Sequence, residues 1–197
     1  MKIIAITLLA ALAAATPAHG AKGTPTEAIK SANTRVRELL SQKGSNEKNA
    51  ARVTSELRDL FDIADLAKRA LVDHWNDMSP AQRTSLVDTL RQVVERNYVS
   101  QLRSNLQYEI VYQGEEPKGS DVLVKTIIKA ERGGRPVEIP VDYLLHSESD
   151  HWRAYDVITD DVSLVTNYRS QFNRIISKEG PDGLIKRMKA RLEKNED

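Results

Sequence analysis

His74, His146 and His151 are the residues whose chemistry is most versatile, because imidazole binds metals and exchanges protons near neutral pH. None of them falls in a His-Glu-x-x-His or comparable spacing. His146 and His151 flank a predicted turn at 147–150 and could face each other across it as a two-ligand metal site. The plainer reading is two solvated hairpin residues. Asp156, Asp160 and Asp161 form a second cluster. Close carboxylates serve acid–base chemistry or calcium, but the glycine and glutamate positions of a calcium loop are missing, which favours helix caps and turns. There is no Gly-x-Ser-x-Gly elbow and no phosphate loop, and Gly133-Gly134 reads as a hairpin turn. The chain holds no cysteine, which removes thiol catalysis, thiolate metal ligands and disulfides. No catalytic residue, no metal site and no cofactor is assigned from these residues.

The elements around these residues are well signposted. Thr24-Pro25-Thr26-Glu27 is a capping box with proline at the first helical position, followed by Ile29, Ala32, Val36, Leu39 and Leu40 at helical spacing. A second helix is predicted over 47–60, and Asp62 caps a third carrying Ile63, Leu66, Ala67, Ala70 and Leu71. Ser79-Pro80-Ala81-Gln82 opens a long helix with Leu86, Leu90, Val93, Val94, Tyr98 and Leu102 on a broad apolar stripe. Beyond Leu106 the period becomes two. Strands are predicted around Tyr108–Tyr112, Val122–Ile128, Val137–Leu145 and His151–Ile158, joined as an antiparallel meander. Val162, Leu164, Val165, Tyr168, Phe172, Ile175 and Ile176 form a closing helical stripe. Gly180-Pro181-Asp182-Gly183 interrupts it before a last short helix whose face carries Lys186, Arg187, Lys189 and Arg191. That basic face reads as solvated rather than as a docking site.

The N-terminal 20 residues have the pattern of an export signal: Lys2, an apolar run over 3–15, and Ala18-His19-Gly20 before a cleavage point expected between Gly20 and Ala21. With Lys2 removed, basic and acidic residues balance, so the mature chain has no whole-molecule attraction for nucleic acid. The absence of cysteine also leaves no site for an N-terminal lipid anchor. The domain expected is residues 21–197, with a helical part over about 24–106, a sheet over about 107–158 and closing helices over about 162–194.

Helices, then a meander, then helices is an α+β order. A curved antiparallel sheet with helices on its apolar face encloses a cavity. By strand alternation the inward wall is Val124, Ile128, Ile139, Val141 and Tyr143. Val94, Tyr98 and Leu102 are the expected helical contributors, with Val162 and Val165 pointing inward near the rim.

Two stretches carry a resemblance. One is Phe61-Asp62, Ala70-Leu71, Trp75, Ser79-Pro80-x-Gln82-Arg83, and Tyr98 with Leu102. The other is Trp152-Arg153-Ala154-Tyr155-Asp156-Val157, then Val162-Ser163-Leu164-Val165-x-Asn167-Tyr168-Arg169-x-Gln171-Phe172, then Gly180 and Asp182-Gly183-Leu184-Ile185. Both resemble the MlaC family, also called the toluene-tolerance auxiliary family. The chain departs from its pattern at Val72 and Asp161, where glycine is usual, and at Leu86 and Leu90, where phenylalanine is common. The resemblance implies a periplasmic phospholipid carrier with a sheet of the nuclear-transport-factor-2-like kind of about four strands, holding acyl tails in the cavity. It implies an inner-membrane ABC lipid transporter complex and an outer-membrane lipoprotein–porin complex as partners, a monomeric state and no catalytic residues. A hopanoid or other apolar lipid as cargo, an enzyme on the same architecture, and a structural component of an export complex remain the alternatives.

Overall fold

The computed structural model describes residues 23–41, 47–104 and 108–194, and the expected signal segment lies outside the described residues. Helix α1 (Pro25–Ser41) starts where the sequence places it. The Thr24 amide donates to Glu27 Oε2 at 2.8 Å, and the Glu27 amide donates back to Thr24 Oγ1 at 3.1 Å. Helix α2 (Glu47–Leu60) packs beside it, burying Val53, Leu57 and Leu60. Helix α3 (Ile63–Ala70) is capped by Asp62, whose Oδ1 accepts from the Asp65 amide at 2.9 Å. A 3₁₀ turn at Trp75–Asp77 leads to α4 (Pro80–Ser104). A second reciprocal capping box opens α4, with Ser79 N to Gln82 Oε1 at 3.0 Å and Gln82 N to Ser79 Oγ at 3.2 Å. Each box satisfies two helix-end donors that would otherwise lack partners.

The sheet is an antiparallel meander in the order β1-β2-β3-β4-β5. Its strands are β1 (Tyr108–Lys118), β2 (Asp121–Arg132), β3 (Arg135–Glu148), β4 (His151–Thr159) and β5 (Val162–Ser163). Sequence alternation indicates about four strands, and β5 is the addition. At 162–163 a helix was expected to begin, but two residues are too few to show a period. The turn before β5 is made by Asp160 and Asp161 at φ 47° and 63°, the doubly positive pattern of a tight hairpin. Asp161 therefore adopts the left-handed conformation for which glycine is the default residue and which aspartate tolerates. Register shifts between Tyr112 and Gly114, and between Leu144 and Leu145, break the pleat in β1 and β3. Such bulges bend a strand and sharpen its twist, which curves the sheet.

Helix α5 (Leu164–Lys194) packs against α3, α4 and the β4–β5 edge of the sheet and kinks at Gly180 (φ 69°), immediately before Pro181. This is the interruption the Gly-Pro-Asp-Gly run predicts. The tightest core lies where α3, α4 and α5 meet one end of the sheet, with Leu66, Leu71, Leu86, Leu90, Leu145 and Leu184 almost wholly buried. Leu86 and Leu90, which stand where phenylalanine is common in the resembling family, are both fully enclosed.

Candidate functional site: an apolar cavity between helices and sheet

The helices fill only one end of the curved sheet's inner face. Over the other end α1, α2 and α4 stand off, leaving a cavity of about 630 Å³, within the size range of small-molecule and cofactor sites. Its floor is a row of facing strand residues. Ile110 pairs with Ile128 and Ile128 with Ile139, so three adjacent strands present isoleucine to the same space. Val141, Tyr143 and Val157 extend the floor. The roof comprises Ile29, Ala32, Asn33 and Val36 from α1, Leu57 and Leu60 from α2, Phe61, and Val94, Asn97 and Tyr98 from α4. The β5–α5 junction closes the side with Val162, Ser163, Leu164, Asn167 and Tyr168.

Of the positions expected from sequence to form the wall, Val94, Tyr98, Ile128, Ile139, Val141 and Tyr143 are brought together around this space. Val162 reaches it from the rim and is 60% exposed rather than turned inward, because the Asp160–Asp161 turn places it on a sheet edge. Val124 and Val165 lie in the packed core instead. Val124 has the inward phase, but it sits at the filled end of the sheet, and Val165 follows the cap that seats α5 on β4. The side chain of Leu102 lies outside the described residues. The contribution of α1 and α2 was not anticipated. Their apolar stripes are plain in the sequence, but a stripe does not say whether it faces packed side chains or open space.

No Asp, Glu, Lys, Arg or His lines the cavity, among the described residues. Its titratable groups are the phenols of Tyr98, Tyr108, Tyr143 and Tyr168, and burial pushes each above the ordinary phenol value. All four stay neutral at physiological pH, so none supplies a general base there. The Tyr108 hydroxyl donates to Asn33 Oδ1 at 2.9 Å, and Tyr98 packs edge-on to Phe61 at 5.9 Å. What the cavity can do chemically is shed water around an apolar ligand.

Arg153, Asp156, Arg169 and Gln82, which do not line this space, fasten elements to one another. Arg153 Nη2 donates to the carbonyls of Phe61 (2.8 Å) and Arg58 (3.2 Å). Asp156 accepts from Ser163 Oγ at 2.6 Å and from the Val165 amide at 3.0 Å, capping α5. Arg169 Nη2 donates to Arg69 O at 2.7 Å near the end of α3, and Gln82 Nε2 donates to Asp182 Oδ1 at 3.1 Å, joining α4 to α5. His146 and His151 do not face each other: His151 pairs with Glu148 in the ladder and is exposed, whereas His146 Nε2 lies 3.1 Å from Asp62 Oδ2. Asp62, His146 and Glu148 converge closely enough for a metal ion. Arg153 already stands among them, with Nη1 2.7 Å from Glu148 and 4.0 Å from Asp62, so a guanidinium supplies the positive charge. The basic residues at 186, 187, 189 and 191 are exposed, and Arg187 is ion-paired with Glu179.

Fold and site together define an α+β protein built around a mostly apolar cavity between helices and sheet. The chain belongs to the MlaC family: the family described as "MlaC protein" matches residues 27–190. It is 21% identical over 138 residues to the "Intermembrane phospholipid transport system binding protein MlaC" of Haemophilus influenzae, covering 69% of this chain and 64% of that relative's length. The fold is similar to that of the solved phospholipid-binding protein from Ralstonia solanacearum in complex with a phospholipid, with a TM-score of 0.74 and 20% identity. That match covers 86% of this chain and 97% of the solved one.

Proposed function

We propose that this protein is a periplasmic carrier that holds a phospholipid by its acyl chains in the cavity and passes it between membrane complexes, maintaining the lipid asymmetry of the outer membrane. The observation that carries the reading is the cavity itself: about 630 Å³, floored by a row of isoleucines and, among the described residues, lined by no charged side chain. The phospholipid-binding description of the Ralstonia solanacearum protein and the transport description of the Haemophilus influenzae relative point the same way.

Two acyl chains contain roughly 30 methylenes, each stabilised by about 0.8 kcal/mol when removed from water, a gross gain of about 20 kcal/mol. Cargo held this way escapes into water very slowly, so it leaves only by direct handover. The reading therefore includes an inner-membrane ABC lipid transporter complex and an outer-membrane lipoprotein–porin complex as partners. It takes residues 21–197 as the mature domain, released from the signal segment near Gly20/Ala21, and the carrier as a monomer without catalytic activity. The lipid-binding wall is Val94, Tyr98, Ile128, Ile139, Val141 and Tyr143, together with the α1 and α2 residues that share the space. Incubating the purified mature protein with vesicles of radiolabelled phospholipid and then separating the two tests this. Stoichiometric label moving with the protein is expected, and protein that returns unlabelled contradicts the proposal.

A further inference from the structure

Among the described residues, six arginine side chains are matched to carboxylates. Arg35 meets Glu56, Arg58 meets Glu95, Arg69 meets Asp65, Arg91 meets Asp88, Arg153 meets Glu148, and Arg187 meets Glu179. Arg37 is different. It is exposed on α1, and its guanidinium carbon lies 5.1 Å from the centroid of the Tyr108 ring. Among the described residues, no carboxylate pairs with it. Tyr108 lines the cavity, as do Val36 beside Arg37 and Asn33 one turn earlier on the same helix. The charge thus stands at the cavity's edge, where α1 meets the start of β1.

Two further features share that edge. Asn33 Oδ1 accepts from the Tyr108 hydroxyl, and among the described residues no acceptor is recorded for its amide NH₂, which can only donate. Tyr112, four residues along β1 and on the same face, has a buried hydroxyl without a hydrogen-bond partner among the described residues. Arg37 opposes the effect of burial on both phenols, Tyr108 and Tyr112, so its charge is felt at each hydroxyl. The edge therefore presents donors and one unpaired positive charge, with no carboxylate among its named groups.

Resting on the carrier reading above, we propose that Arg37, with the Asn33 amide beside it, is a phosphate-binding site at the cavity rim. It takes the phosphodiester of the phospholipid whose tails lie inside. A phosphodiester is anionic and accepts hydrogen bonds without donating them, and a guanidinium matches two of its oxygens at once. Stacking on Tyr108 holds the guanidinium in place. The site grips the phosphate and makes no demand on the alcohol beyond it. It therefore fixes the depth and direction of the lipid while accepting different headgroups. Because Arg37 is solvent-exposed, its contribution is modest: about two- to fivefold in affinity.

The test uses delipidated mature protein and two fluorescent-tailed probes with identical chains, a phosphatidylglycerol and a diacylglycerol, presented in neutral carrier vesicles. Wild-type protein is expected to favour the phosphatidylglycerol by about two- to fivefold. Arg37→Ala is expected to lose most of the preference, the Asn33 amide alone remaining, and Arg37→Lys to keep a larger part of it. An unchanged preference in Arg37→Ala overturns the site, as does wild-type protein that shows no preference. Inorganic phosphate added at the lipid's concentration is expected not to compete. Displacement by it would show that the site takes free phosphate rather than a headgroup. If wild-type protein binds neither probe, the carrier reading itself falls, and the site with it.

Discussion

Arg153 on β4 donates to the main-chain carbonyl of Phe61 at 2.8 Å, and so ties the sheet to the end of α2. The same junction is held by the Asp62 amide, which donates to Ala154 O at 2.8 Å. Phe61 lines the cavity and Arg153 does not. The tie thus works from outside the site to hold one piece of its wall. Replacing Arg153 with alanine frees two carbonyls and takes a positive charge from beside Asp62, which is only 5% exposed. Arg153→Ala is expected to lower stability by about 1–3 kcal/mol, read from the midpoint of urea denaturation. A wild-type midpoint would show that the backbone bond alone holds the junction.

Asp156 performs the corresponding task for α5. Its two carboxylate oxygens engage Ser163 Oγ and the Val165 amide. Asp156→Ala is expected to cost about 1–2 kcal/mol, in the range of a lost helix cap. Asp156→Asn is expected to cost less, because its single amide oxygen still accepts from Val165. Equal midpoints for the two variants would contradict the capping role.

Alkaline pH acts through the cavity. The phenols of Tyr98 and Tyr143 are held above the ordinary value of 10.0 by burial. Once pH passes that value, an unfolded chain releases protons that the fold retains, so unfolding becomes more favourable. Stability is therefore expected to be level up to about pH 10 and to fall beyond it. Absorbance of ionised tyrosine should lag behind a free-tyrosine control until unfolding begins. Full ionisation in protein that remains folded would show that these phenols reach solvent.

Val141 and Val162 separate wall from rim. Val141 is 7% exposed and lines the cavity, whereas Val162 is 60% exposed at its edge. A carboxylate at 141 loses its hydration among acyl chains. Val141→Glu is expected to reduce bound lipid at least tenfold, the effect of about 1.4 kcal/mol, and Val162→Glu to retain it within about twofold. Circular dichroism of both variants confirms that they are folded. Equal lipid content in the two would place the acyl chains elsewhere.

Much of the fold is legible in the residues. The two capping boxes name their own helix starts, and the glycine pair at 133–134 marks its hairpin. The period-two runs give β1 to β4. The β5 strand is hidden because a two-residue strand has no period. The six wall residues from α4, β2 and β3 follow from alternation and helical stripes. The same rules misplace Val124, because phase fixes the face of a sheet but not which end of that face is filled. They also miss Asn33 and Arg37, since exposed polar positions on a helix look alike until the neighbouring strand is known. The motif arginines and aspartates could pass for chemistry in the sequence. In the fold Arg153, Asp156 and Arg169 are joints between elements.

Native mass spectrometry of the exported protein, purified gently and without added lipid, tests the central claim most directly. The account predicts a mature monomer that begins near Ala21 and carries copurified phospholipid. Dissociation should release the cargo as diacyl species of mixed headgroup, and Val141→Glu prepared in parallel should fly empty. Wild-type protein that is folded and uniformly free of lipid, or bound only to a cargo without acyl chains, would contradict it.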